Sequence, residues 1–204
     1  MLTHGRLPWP KPSELPHDGE SLYNSIARGP RALGPQYFRL TNEDGCLEGP
    51  FNSMVLAPSV GSALQSLGTA IRFQTGLSAR AREIAILSVA VALRSEFEWY
   101  AHEQIARAAG VNDEQLRGIL EGNGLESLNW DDAIIAGLAS SLALRLEISE
   151  HDYKQAQHIL GTTCLIELVT LVGYYMLLDL TMSTFQTPLP DGVPSRFTGA
   201  RNDE

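Results

Sequence analysis

The segment Glu83-Ile84-Ala85-Ile86-Leu87-Ser88-Val89-Ala90-Val91-Ala92-Leu93 runs directly into Arg94-Ser95-Glu96-Phe97-Glu98-Trp99-Tyr100-Ala101-His102. Ser78 is placed to cap a helix that carries Glu83 and reaches about Leu93. A second helix covers roughly 95–109 and stops at Gly110. On that second helix Glu98 and His102 are four positions apart and share one face, with Ser95 three positions before Glu98 on the same face. A carboxylate beside an imidazole, flanked by Trp99 and Tyr100, is a candidate proton-transfer site. An imidazole titrates near neutrality, and a neighbouring carboxylate raises its pKa. The same spacing also occurs on solvated helix faces, where a pair is worth about 0.2–0.5 kcal/mol. The apolar run before the pair and the aromatics within it place this segment at a buried junction instead.

Helical patterns continue on both sides. Pro58 opens a helix reaching about Gln74, with Leu64, Leu67 and Ile71 in register, and Gly76 ends it. Asn112 caps a short amphipathic helix over 113–121. Another spans Asp131 to Leu146. Ser149 begins one that breaks at Gly161, and Thr162 to about Phe185 is the last, apolar on nearly every side. Earlier, Glu20 to Ala27 reads as a short helix stopped by Gly29-Pro30, and Pro35 to Asn42 as a second. Pro8, Pro10, Pro12 and Pro16 make the first twenty residues an extended arm, whose Leu7 and Trp9 pack on this chain's core or on a neighbour. His4 and His17, lying in that arm, read as solvent-exposed. No alternating strand pattern appears. The expected fold class is all-α, a compact helical bundle. It divides into an N-terminal extension (1–49), a helical domain (50–185) and a C-terminal loop tail (186–204). Helices 78–93 and 162–185 are apolar almost all round, so each is central or shared between subunits, which points to a homo-oligomer.

Composition narrows the partners. The chain has 204 residues, 44% of them hydrophobic, enough for one sizeable core. Its formal charge is −9, with 15 Lys and Arg and no basic run, which argues against nucleic acid and against an anionic membrane surface. The longest uncharged run near the C-terminus, Leu168 to Leu178, is too short to span a bilayer. Cys46 and Cys164 belong to no metal or redox spacing, and residues 1–20 hold no apolar stretch of signal-peptide length. A cytoplasmic location follows as the expectation. His151 and His158 could share a helix face but have no partner at metal spacing, so no metal site is expected. No glycine-rich phosphate loop follows a strand.

Residues 50–185 resemble the carboxymuconolactone decarboxylase family, which includes alkylhydroperoxidase D-like proteins. The resemblance is carried by Leu77-Ser78-Ala79-Arg80-Ala81-Arg82-Glu83, by Phe97-Glu98-Trp99-Tyr100-Ala101-His102 and by Ala108-Ala109-Gly110-Val111. Leu165-Ile166-Glu167-Leu168-Val169 and Gly173-Tyr174-Tyr175 resemble its closing helix. The redox branch sets a glutamate, two cysteines and a histidine in a frame that here reads Glu83-x11-Ser95-x2-Glu98-x3-His102. Thiol peroxidase chemistry needs an attacking thiolate and a resolving thiol, and Ser95 and Glu98 can be neither.

The resemblance then implies the decarboxylase branch, which moves protons on lactone acids without metal or organic cofactor. It also implies a trimer or a trimer-based hexamer. In this frame Glu83, Glu98 and His102 are the candidate catalytic residues. Glu83 could be kept protonated by desolvation, or could form an ion pair with Arg80 or Arg82. Ser95, Trp99, Tyr100 and Tyr175 are candidates to line a substrate pocket, and Arg82 or Arg94 to clamp a substrate carboxylate. Tyr174 is a further neighbour. Two functions fit: a cofactor-free enzyme that decarboxylates, isomerises or cyclises a small organic acid, or a non-catalytic helical oligomer that binds a ligand or partner.

Overall fold

The computed structural model describes residues 2–29, 32–33, 35–122 and 125–197; Pro30 and the tail from 198, including Gly199, lie outside them. Its helices are α1 (His17–Ala27), α2 (Pro50–Leu56), α3 (Pro58–Phe73), α4 (Ala79–Leu93), α5 (Glu96–Ala108), α6 (Asp113–Glu121), α7 (Trp130–Ala143) and α8 (Glu150–Thr184). A two-residue antiparallel hairpin, β1 (Thr3–His4) and β2 (Leu7–Pro8), precedes them. The fold is all-α, as the sequence suggests.

Local capping explains several boundaries. The Ser78 hydroxyl accepts the Ala81 N–H, the Asn112 side chain accepts the Gln115 N–H, and Ser149 accepts from Asp152. Asn112 and Gln115 also complete a reciprocal capping box. Gly161 adopts φ 70° and kinks α8 at the position where two helices are expected to part.

α4 is the centre of the molecule. It packs against α5, α6, α7 and α8, and Ile84 to Ala90 are all buried. Its all-round apolarity is therefore used up within one chain and gives no evidence for a subunit interface. α8 differs. Leu165, Leu168, Leu171, Val172, Leu178 and Met182 are buried, while Ile166, Val169, Leu177 and Leu180 remain exposed. By length and composition α8 could cross a bilayer, but one of its faces is packed against α3, α4 and α7.

The N-terminal region departs from expectation in three ways. Residues 35–42 form no helix. Their backbone is committed elsewhere: the Arg39 N–H donates to the Tyr100 hydroxyl, the Leu40 carbonyl accepts from Glu48, and Thr41 bridges Leu47. Tertiary partners outweigh a weak local propensity. The arm is not simply extended. It forms the hairpin and a 3-10 turn (Pro12–Glu14) that lead into α1, which starts at His17. It packs on its own chain, with Trp9 Nε1 donating to the Leu47 carbonyl at 2.7 Å.

His4, finally, is not exposed. It is 1% accessible, stacked on Trp9 at 4.5 Å, and 3.8 Å from Glu48. Burial lowers its pKa from 6.5 to about 4. The unfolded chain thus takes up this proton before the folded one, so stability is lost as pH falls from 6.5 through about 4. Glu48, raised by burial, gives a slope of the opposite sign. His4→Phe keeps the stacking and removes the histidine slope. Its melting temperature is expected to fall less steeply than the wild type's over that window, by the equivalent of at most about 3 kcal/mol. Parallel thermal melts against pH would refute this if the two curves coincide.

Candidate active site

α4 and α5 are joined by Arg94 and Ser95 alone. Arg94 adopts the left-handed conformation (φ 55°), and the Ser95 N–H donates to the Ala90 carbonyl at 2.7 Å. This reversal folds α5 back along α4 and brings His102 beside Glu83. Glu83 Oε2 lies 2.7 Å from His102 Nδ1. Both side chains are almost wholly buried. A carboxylate accepting from Nδ1–H fixes the ring and its tautomer, leaving Nε2 to face the other way. On that side are the Tyr175 hydroxyl at 3.2 Å and Glu98 Oε2 at 3.6 Å.

Glu83 is not a neutral acid. Burial raises its carboxyl, but His102, by charge and hydrogen bond, and then Arg82 and Arg72 outweigh burial and hold it below the usual carboxylate range. The ion-pair alternative is half right: Arg82 Nε is 3.5 Å from Glu83 Oε1. Arg80 instead pairs with Asp132 at 2.8 Å, tying α4 to α7.

His102, Glu98 and Tyr175 line a small, partly open cavity, together with Tyr174, Arg72, Gly68, Phe38, Phe51 and Phe97. Its volume is about 20 Å³, room for about one water molecule. Gly68 leaves room for the Tyr174 hydroxyl, which a Cβ there would strike.

The other sequence candidates lie elsewhere. Ser95 is buried in the α4–α5 connection and faces a groove with Arg94, Asp179 and Gln186 rather than this cavity. Helical spacing put it beside Glu98, but the chain turns at Ser95 and only becomes helical at Glu96. Trp99 is buried and meets Phe197 edge-on. The Tyr100 hydroxyl is engaged by the Arg39 backbone, and its ring packs edge-on against Phe97. Arg82 sits behind Glu83, and the Arg94 guanidinium lies over Phe197. Sequence reasoning missed Arg72 and Phe38. Nothing local marks them, since they reach the cavity from α3 and from a loop.

The sequence profile of the carboxymuconolactone decarboxylase family matches residues 58–125, which hold Glu83, Glu98 and His102. Residues 58–125 belong to that family. Among solved structures, the chain is similar to an alkylhydroperoxidase AhpD core, an uncharacterized peroxidase-related protein from Ralstonia eutropha JMP134. The TM-score is 0.73 at 15% identity, over 94% of this chain and 95% of that one. At that identity the likeness concerns the fold alone. No curated protein matches the sequence. The family segment supplies α3 to α6, so the carboxylates and the imidazole come from it, whereas Tyr174 and Tyr175 come from α8 outside it.

Proposed function

We propose that this carboxymuconolactone decarboxylase family protein is an acid–base enzyme acting on a small or medium organic acid, such as a lactone or keto acid, without metal or organic cofactor. The observation that supports this most is the buried chain from Glu83 through His102 to Tyr175 and Glu98, at the wall of a small cavity. In a decarboxylation, the carbon–carboxyl bond breaks and its electron pair is delocalised as an enolate. His102, protonated at Nε2, donates to that enolate, and Glu83 stabilises the charged ring. In an isomerisation, neutral Nε2 removes a proton and returns it at another carbon. Positioned transfer of this kind contributes about 10²–10⁴ in rate. At about 20 Å³ the cavity admits such a substrate only if its lining opens. Its closed size favours the second reading, a non-catalytic helical oligomer. Incubation with a panel of lactone and keto acids, followed by mass spectrometry, separates the two. Loss of carbon dioxide or formation of an equal-mass isomer supports catalysis; an unchanged panel supports the binding protein.

Thiol chemistry has no place in this site. Cys46 is buried, Cys164 is half-buried, and neither lines the cavity. Burial raises both thiols above their ordinary value. Alkylation with iodoacetamide is expected to leave any turnover within about twofold of the untreated rate, against the 10²-fold or greater loss that follows removal of a catalytic group. Inactivation that substrate prevents would show that a cysteine takes part.

A homo-oligomer, a trimer or trimer-based hexamer, remains part of the proposal. It rests on the exposed stripe of Ile166, Val169, Leu177 and Leu180 along α8. Light scattering at low micromolar concentration should give a multiple of the chain mass, and Leu180→Glu should lower it. A wild-type monomer would end the idea.

A further inference from the structure

Arg72 is the cation that lines the cavity, and it acts on Glu83 only through its charge. It sits in the last turn of α3, half-buried, and lines the space with His102, Glu98, Tyr174 and Tyr175. Among the described residues it makes no hydrogen bond and no ion pair; its guanidinium lies 5.6 Å from the centre of the neighbouring Phe73 ring, and its charge helps to hold Glu83 ionised. Other arginines are engaged: Arg80 with Asp132, Arg82 with Glu83, Arg39 with Glu48, Arg107 with Glu103 and Asp113. A cation near a helix C-terminus is favourable by itself. That effect, however, is available to an exposed side chain and does not require the guanidinium to line a cavity with His102 and Glu98. Gly68, one turn earlier on the same face of α3, lets the Tyr174 hydroxyl approach beside it. The planar fork of Arg72 and the phenols of Tyr174 and Tyr175 thus line the same cavity as His102 and the Glu98 carboxylate.

We infer that Arg72 anchors a carboxylate of the ligand, holding the rest of that molecule against Nε2 of His102. Without such an anchor an anion would be repelled by Glu83 and Glu98. With it, the negative charge of the ligand meets a cation at the cavity wall. Arg82 and Arg94 cannot serve, since one is spent on Glu83 and the other lies away from the cavity. As a substrate anchor this rests on the acid–base reading above; as an anion site it stands without it.

The test uses the intact chain, with formate and acetate as probes and formamide and acetamide as their uncharged counterparts. Binding is read from the imidazole resonances of His102 and the Nε–H resonance of Arg72 by NMR. The two acids should shift both sets of resonances saturably, and the amides should not. Arg72→Gln should weaken acid binding by about 10–100-fold, the loss expected when a hydrogen bond to a charged group is removed. Arg72→Lys should retain part of it, since a point charge replaces a fork. If the amides bind as well as the acids, if the acids give no saturable shift in the wild type, or if Arg72→Gln binds them unchanged, the inference is wrong. The wild-type comparison decides the matter even if Arg72→Gln fails to fold. Binding through Arg72 with no turnover of any acid would remove the enzyme reading and leave the anion site. Turnover that persists in Arg72→Gln with unchanged KM would do the reverse.

Discussion

His102→Gln is expected to lower turnover by about 10²-fold or more while the fold is kept, the range for loss of a positioned proton donor. The geometry makes this the largest effect on activity. His102 stands between Glu83 at 2.7 Å and the cavity, with Nε2 directed to Tyr175 and Glu98. A glutamine amide can occupy the space and hydrogen-bond to Glu83, but it cannot exchange a proton near neutrality. Glu98→Gln should cost less, because Glu98 sits at 3.6 Å from Nε2, beyond a good hydrogen bond. The readout is kcat on whichever acid the incubations identify, with circular dichroism to confirm the fold. A wild-type rate in His102→Gln would leave the pair as a structural contact only.

Removing Glu83 is expected to have the largest effect on stability. Its carboxylate is buried and shared between His102 and Arg82. Glu83→Ala leaves Arg82 and the imidazole without their buried partner, a loss of about 3–5 kcal/mol. In a chain of this length that corresponds to a fall of roughly 10 °C in melting temperature. Glu83→Gln keeps a hydrogen-bond acceptor for Nδ1–H and should fall less, yet it should still lose turnover because the imidazolium is no longer stabilised.

The pH dependence separates charge from packing. The folded pKa of Glu83 is depressed below its ordinary value of 4.5, so the unfolded chain binds this proton first as pH falls. The stability due to its charge is present above pH 4.5 and is lost as pH drops through the lower folded value. The gap in melting temperature between wild type and Glu83→Gln should therefore be widest near neutrality and close below pH 4.5. A gap that stays constant with pH would assign the effect to packing alone.

Helix-by-helix organisation was legible because its causes are local. Ser78, Asn112 and Ser149 cap the helices they precede, Gly161 breaks α8, and the apolar run after Glu83 becomes the central helix. These depend on neighbours within a turn or two, which a sequence displays directly. The shared face of Glu98 and His102 was legible for the same reason. The failures have one cause as well. Residues 35–42 spend their backbone bonds on Tyr100 and Glu48, and His4 is buried by Trp9 and Glu48, all partners far along the chain.

The candidate site divides in the same way. Sequence by itself determined that a carboxylate and an imidazole lie one turn apart on a helix following an apolar one, in a frame whose cysteine positions hold Ser95 and Glu98. Tertiary structure alone decided which carboxylate holds the imidazole. The two-residue reversal at Arg94 and Ser95 brings Glu83, nineteen positions away, closer to His102 than Glu98, its neighbour in the turn. It also decided what faces Nε2. Tyr175 arrives from α8 and Arg72 from α3, and helical periodicity states which face a residue occupies on its own helix but not which face of another helix it will meet. That choice belongs to the packing of the whole bundle, where burying the apolar faces of α3, α4, α5 and α8 together sets the distances between their polar groups.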